Sequence, residues 1–81
     1  MLKIYGSMLC KDCVQCVEEL KNAKVDFEFC DFADSLLYLK EFLKIRDESP
    51  LFDAVREKGS IGIPAIQRED GTVTLDWDEF L

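Results

Sequence analysis

Hydrophobic positions recur along the first half of the chain at two spacings, one typical of strands and one typical of helices. Residues 2–5 form a short apolar run, and residues 25–29 alternate apolar with charged side chains before continuing to residue 31. Both patterns predict strands. Residues 13–23 between them predict a helix, because its apolar positions share one face. Those positions are Cys13, Val17 and Leu20.

The second half begins with helix signals. Ser35 is a favoured N-cap ahead of a segment with helical spacing, which predicts a helix over residues 36–46. Ser49-Pro50 starts a further helix, because serine caps and proline suits the first helical position. Gly59 ends that helix after residue 58. The apolar stripe expected on the longer helix comprises Leu36, Leu37, Leu39, Phe42, Leu43 and Ile45.

The chain ends with strand signals. Residues 61–67 are an apolar strand interrupted by Pro64, and Glu69-Asp70-Gly71 is a hairpin turn before a returning strand over 72–75. The order β-α-β-α-α-β-β then predicts an α/β fold. We expect one domain over residues 1–81, with a four-stranded mixed sheet and flanking helices. Strands one and two are parallel because a helix joins them. The C-terminal helix is very short or absent.

Composition and charge exclude several classes of protein. The formal net charge of -7 argues against nucleic-acid binding, which relies on clustered Lys and Arg. No apolar run approaches the roughly 20 residues of a membrane span. No leader precedes the first strand, so we expect a cytoplasmic protein, where C-x-x-C is more often catalytic or metal-binding than structural. The chain has no His, which removes imidazole bases and ligands.

The chemistry of the sequence is concentrated in Cys10-Lys11-Asp12-Cys13. This motif follows a strand and the turn Gly6-Ser7, and it opens a helix. Strand, tight turn, C-x-x-C and helix is the arrangement that thiol–disulfide chemistry uses. The partial positive charge of a helix N-terminus stabilises a thiolate there. We expect Cys10 to be the outer sulfur and Cys13 to lie one turn deeper, within reach of a disulfide.

Cys16 makes a second, overlapping C-x-x-C with Cys13, and three interpretations remain open. It is a small buried hydrophobe, a third redox thiol, or one ligand of a metal or iron–sulfur site. The metal interpretation lacks the fourth Cys and its Pro, unless the end of strand two brings Cys30 close. We favour the buried hydrophobe and expect no dedicated metal site.

The motifs together resemble those of glutaredoxins, which have the thioredoxin fold. Ile4-Tyr5-Gly6-Ser7-x-x-Cys10-x-x-Cys13 matches the strand, loop and active-site motif of that family in spacing. Gly62-Ile63-Pro64-Ala65-Ile66 matches the segment with a cis-proline before the third strand, and Asp31 follows strand two as in the family. The resemblance covers essentially the whole chain.

The resemblance implies a thiol–disulfide oxidoreductase in cell redox homeostasis, with Cys10 as nucleophile and Cys13 as resolving thiol. It implies a cis bond before Pro64, which places the backbone of Ile63 beside the reactive sulfur, where it pairs with an extended substrate. The further substrate contacts are expected at Tyr5, Lys11 and Asp12.

The partners that the resemblance implies are a disulfide-containing protein or a small thiol, and an electron donor. The donor is glutathione or a flavin-dependent reductase of the thioredoxin type. We expect a monomer with no bound cofactor.

The chain also departs from the glutaredoxin pattern. Lys11 and Asp12 stand where Pro or Tyr is usual, and no Gly-Gly-Asp follows the third strand. The stretch just before Cys10, where glutaredoxins have a basic residue, is Ser7-Met8-Leu9. Fold and thiol chemistry therefore carry over better than glutathione specificity. The competing functions are a thiolate metal or Fe–S binding module and a redox-inert regulatory protein on the same fold.

Overall fold

The structure, a computed structural model, describes all residues 1–81. Its elements follow the predicted order β-α-β-α-α-β-β. No helix combines the length and the apolar character needed to cross a membrane. The strands are β1 (Leu2–Gly6), β2 (Phe27–Asp31), β3 (Ala65–Gln67) and β4 (Val73–Thr74), and the helices are α1 (Lys11–Asn22), α2 (Leu36–Glu48) and α3 (Asp53–Glu57), with 3-10 turns at Pro50–Phe52 and Trp77–Phe80.

The four strands form one mixed sheet in the order β2-β1-β3-β4. β1 runs parallel to β2, with Gly6 opposite Asp31. β3 runs antiparallel to β1, with Tyr5 opposite Ala65, and β4 is antiparallel to β3. This confirms the predicted α/β architecture with a mixed sheet. It also means that β1 and β2 end, and β3 begins, at one end of the sheet, which we call the Cys10 end.

Alternation along the strands divides the core between the two faces of the sheet. Consecutive residues of a strand point to opposite faces, so neighbours in sequence enter different clusters. One cluster contains Ile4, Cys16, Leu20 and Ile66, and the other contains Tyr5, Cys30, Phe42, Phe52 and Ala65. α1 covers the first face and α2 the second. Trp77 packs against the α1 side, where its Nε1 donates to Glu19 Oε2 at 3.0 Å.

α2 confirms its predicted cap but corrects its predicted buried face. The backbone N–H of Leu37 donates to Ser35 Oγ at 3.1 Å, as an N-cap requires. The broad apolar stripe is wrong, because Leu36, Leu37 and Leu43 are exposed. The sheet has few, short strands and accepts only a narrow face of the helix. The side chains on that face are Tyr38, Leu39, Phe42 and Ile45.

The segment after α2 follows the sequence signals, and the last strands are shorter than expected. Ser49 Oγ accepts the N–H of Leu51, and Gly59 adopts a positive φ of 71° where the helix stops. β3 begins only at Ala65, after the cis Ile63-Pro64 bond. The earlier apolar residues from 61 onward approach the sheet without joining it, because proline has no N–H to give to a ladder.

Candidate functional site

Cys10 is the N-cap of α1, and its sulfur takes part in the cap. Its backbone is extended (φ -93°, ψ 121°), and the N–H of Cys13 points at Cys10 Sγ from 3.3 Å. α1 therefore begins at Lys11, two residues before the predicted start. The Cys10 side chain is partly exposed. An accessible sulfur thus sits where a helix N-terminus donates a hydrogen bond and adds positive potential.

Cys13 lies directly behind Cys10 and is fully buried. Its sulfur fills the space left by Gly6 at the end of β1, where an added Cβ would stand 2.6 Å from Cys13 Sγ. Burial raises the pKa of Cys13 to about 12, the neighbouring Cys10 thiol adds to the increase, and the Ser7 backbone opposes it. Cys13 is therefore a protonated thiol at neutral pH, within one helical turn of Cys10.

Lys11 and Asp12 occupy the first turn of α1 and are both exposed. The structure thus brings these two residues to the surface beside Cys10, with one positive and one negative charge.

Ile63 and Pro64 lie at the Cys10 end of the sheet, since Ala65 pairs with Tyr5 at the end of β1. The bond between them is cis, as the resemblance implied. The N–H and C=O of Ile63 make no hydrogen bond with the rest of the protein. Pro64 itself is buried.

Tyr5 is not part of the surface around Cys10. It is 2% exposed, and its hydroxyl donates to Glu41 Oε2 at 2.9 Å, which joins β1 to α2. Burial, followed by the hydrogen bond to Glu41, raises the pKa of the Tyr5 phenol. The substrate contact expected at Tyr5 does not fit this position, because the ring belongs to the core on the α2 side of the sheet.

Cys16 and Cys30 are fully buried on opposite faces of the sheet. Burial raises the pKa of Cys16 to about 12, with Glu19 adding to it, and burial with Glu28 raises the pKa of Cys30 to about 11. The separation prevents Cys30 from acting as a fourth ligand with Cys10, Cys13 and Cys16. No group of three or more His, Cys, Asp or Glu side chains is arranged to hold a metal ion.

A shallow groove of about 430 Å³ runs beside Cys10 along the outer side of α1. The sequence pattern did not predict this groove, although the apolar pair Met8-Leu9 just before the first Cys was a signal. The groove is lined by Met8, Leu9, Lys11, Val14, Gln15 and Glu18. A second depression, of about 520 Å³ and lined mostly by polar residue types, lies between the end of α2 and the β3–β4 hairpin, away from the cysteines.

An uncharacterized protein of Haemophilus influenzae is 39% identical to this chain over 73 residues, which cover 90% of the chain and 85% of that relative. The chain belongs to the same family as this protein. No known family profile and no solved structure matches the chain.

The relative's description assigns no activity to the family, so function has to be inferred from the site. The site offers one accessible sulfur at a helix N-terminus and a second, buried sulfur behind it. Two thiols in this arrangement can exchange with a disulfide and close one of their own without any other catalytic group.

Proposed function

We propose that this protein is a glutaredoxin-like thiol–disulfide oxidoreductase of thioredoxin-like fold that reduces disulfides through Cys10 and Cys13. The observation that carries the proposal is the position of Cys10 Sγ, partly exposed and 3.3 Å from the N–H of Cys13 at the start of α1. The parallel β1–β2 pair followed by the antiparallel β3–β4 hairpin supports the fold assignment.

The reaction has two exchange steps in this proposal. Cys10 thiolate attacks one sulfur of a substrate disulfide, the substrate S–S bond breaks, and the other substrate sulfur leaves as a thiolate. Cys13 then loses its proton to water and attacks Cys10 Sγ. The Cys10–Cys13 disulfide forms, and the second substrate sulfur leaves. The substrate gains two electrons, and the two cysteines lose them.

The reduced dithiol is restored by an external thiol in a reducing cytosol. The donor is glutathione, two molecules of which become glutathione disulfide, or a flavin-dependent reductase. Lys11 beside Cys10 is available to a carboxylate of glutathione, whereas the chain lacks the Gly-Gly-Asp segment of glutaredoxins. The unpaired backbone of Ile63 is available to an extended substrate as a short added strand.

The test is a redox titration of the purified protein in glutathione buffers, with acid quench, alkylation and mass mapping of all four cysteines. We expect a two-electron Cys10–Cys13 couple, with Cys16 and Cys30 reduced throughout because both are buried. A transient glutathione adduct on Cys10 would identify glutathione as a workable donor. Cycling without that adduct would point to a reductase.

Single replacements supply the controls. Cys10→Ser should abolish disulfide reduction, and Cys13→Ser should stop the reaction at a mixed disulfide on Cys10. Cys30→Ser is the matched control, since the Cys30 sulfur lies on the α2 face of the sheet, opposite α1. Full reductase activity in Cys10→Ser, or joint protection of Cys10, Cys13 and Cys16 that a chelator relieves, would contradict the proposal.

A further inference from the structure

Several exposed apolar side chains lie in segments at the Cys10 end of the sheet. Leu9 is 95% exposed and Met8 is about half exposed, in the loop between β1 and α1. Other exposed apolar side chains lie at the start of α2, which follows β2, and in the segment that precedes β3. Both segments are at the Cys10 end of the sheet. These side chains are Leu36, Leu37 and Ile61. Large apolar side chains that share one end of a small protein mark a surface that another molecule covers.

The groove beside α1 runs along the helix, with different side chains at its two ends. Its apolar part is formed by Met8, Leu9 and Val14, and two of its lining residues, Leu9 and Lys11, flank Cys10 in the chain. Lys11 lies at the Cys10 end of the groove and Glu18 at the far end. These residues are seven positions apart on one helix, a distance of roughly 10 Å along its axis. An extended polypeptide covers that distance with about three residues.

We propose that this groove binds the polypeptide that flanks the disulfide of a protein substrate. The preferred segment has an apolar side chain next to the reacting cysteine and a basic side chain about three residues away. This inference rests on the proposed function and adds the substrate class. When Cys10 attacks the substrate disulfide, the residues that flank the attacked sulfur are held within reach of Met8, Leu9 and Val14.

Charge determines where the basic residue lies. Glu18 attracts it to the far end of the groove, and Lys11 repels it from the end beside Cys10. Opposite charges at the two ends therefore select one placement and reject its reverse. The formal net charge of -7 favours basic segments over acidic ones at longer range.

Glutathione matches the groove poorly by the same reasoning. It is a tripeptide with no apolar side chain for Leu9, its one ammonium group lies next to a carboxylate, and its carboxylates are attracted to Lys11 rather than to Glu18. Hydroxyethyl disulfide, which has no charge and no side chain, is therefore the comparison substrate that leaves the groove unused.

The experiment measures single-turnover rates of the fully reduced protein with disulfide dimers of short peptides, so no electron donor is involved. The probes are Cys-Leu-Ala-Lys and Lys-Ala-Leu-Cys, which cover both chain directions, and the same peptides with Ser for Leu and Glu for Lys. We expect the apolar, basic peptide in one direction to react about tenfold faster than its polar, acidic counterpart.

Variants of the groove should remove this preference. Val14→Ser and Glu18→Lys are each expected to lower the rate with the preferred peptide about fivefold and to leave the rate with hydroxyethyl disulfide unchanged. Leu43→Ser and Glu48→Lys are the matched controls, because both are exposed on α2 outside the groove. Equal rates for all peptides, or equal losses in groove and control variants, would overturn the inference.

A binding measurement separates failure of the groove from failure of the proposed function. If Cys10 reacts with no disulfide, the proposed function fails by itself. The peptides with Ser in place of Cys then test the groove through backbone amide chemical shifts. Shifts that are confined to the groove residues, include Glu18, and are stronger for the apolar, basic peptide support a docking groove. Shifts that are absent or equal for all peptides contradict it.

Discussion

Gly6 determines where the sulfur of Cys13 can lie. An alanine Cβ there would stand 2.6 Å from Cys13 Sγ, which is closer than packed atoms approach, but 3.5 Å from Cys13 Cβ, an ordinary contact. We expect Gly6→Ala to lower the free energy of unfolding by about 1–3 kcal/mol through overpacking. In a Cys13→Ala background, which lacks the sulfur, the same replacement should cost much less.

The measurement is a double-mutant cycle by urea denaturation at neutral pH under reducing conditions. The coupling between positions 6 and 13 should exceed about 1 kcal/mol. Gly71→Ala is a control for a glycine with open space around it, although its positive φ gives that variant a cost of its own. Additive effects at positions 6 and 13 would show that the Cys13 sulfur does not depend on Gly6.

The protonated state of Cys13 predicts a pH dependence for the second step of the proposed exchange reaction. Its pKa is raised to about 12, chiefly by burial, so only a small fraction is thiolate near pH 7. Since thiolate is the attacking form, the rate at which Cys13 releases substrate from Cys10 should rise about tenfold per pH unit from pH 7 to 10. Stopped-flow release of a chromophoric thiol from a preformed mixed disulfide on Cys10 measures this rate.

The control for that measurement is the same mixed disulfide in Cys13→Ser. There, release should be slow at every pH in the range, because no resolving thiol is present. A release rate in the unmodified protein that is already level near pH 7 would show that Cys13 titrates far lower in the mixed disulfide than burial implies.

At the scale of elements, α2 combines a narrow packed face with an N-cap whose contribution can be measured separately. Only Phe42 of the helix is fully buried, and Ser35 Oγ accepts the N–H of Leu37. We expect Ser35→Ala to lower the free energy of unfolding by about 1 kcal/mol. Ser35→Asp should keep most of the stabilisation from the cap, because Asp is also a favoured N-cap. Chemical denaturation measures both. Ser60→Ala is the control, because the Ser60 hydroxyl caps no helix. If Ser60→Ala lowered the free energy of unfolding as much as Ser35→Ala, a capping effect would be excluded.

The elements were predictable where their signals are local. Ser35, Ser49 and Gly59 act through the backbone within a few residues, and each bounds its helix as expected. The buried face of α2 was not predictable in full, because the width of the sheet determines how many of its leucines find partners. The same limit applies to residues 61–64, which have strand character in sequence but no ladder to join.

The candidate site likewise has features that the sequence predicts and features that depend on tertiary packing. Cys10 and Cys13 are three residues apart, so helix geometry alone places them together, and the sequence was sufficient. The contact between Gly6 and Cys13, the burial of Tyr5 beneath α2, and the separation of Cys16 from Cys30 by the sheet all depend on tertiary packing. No spacing in the sequence carries that information.

At the scale of the whole molecule, three buried thiols on the two faces of one sheet link stability to pH. The pKa values of Cys13 and Cys16 are raised to about 12 and that of Cys30 to about 11, in each case mainly by burial. In the unfolded chain a cysteine titrates near about 8.5. Between these values the folded protein keeps three protons that the unfolded chain loses.

The stabilisation from these thiols is therefore fully present below about pH 8.5 and is lost as pH rises toward the folded pKa values. Each thiol contributes a slope of about 1.4 kcal/mol per pH unit, so three give roughly 4 kcal/mol per unit between pH 9 and 10. Urea denaturation under reducing conditions across pH 7 to 10 measures the slope, and Cys30→Ala should reduce it by about one third. Because the slope counts protons, it is independent of any cavity that this replacement leaves. A flat profile, or an unchanged slope in Cys30→Ala, would mean that the buried thiols do not hold their protons in the folded state.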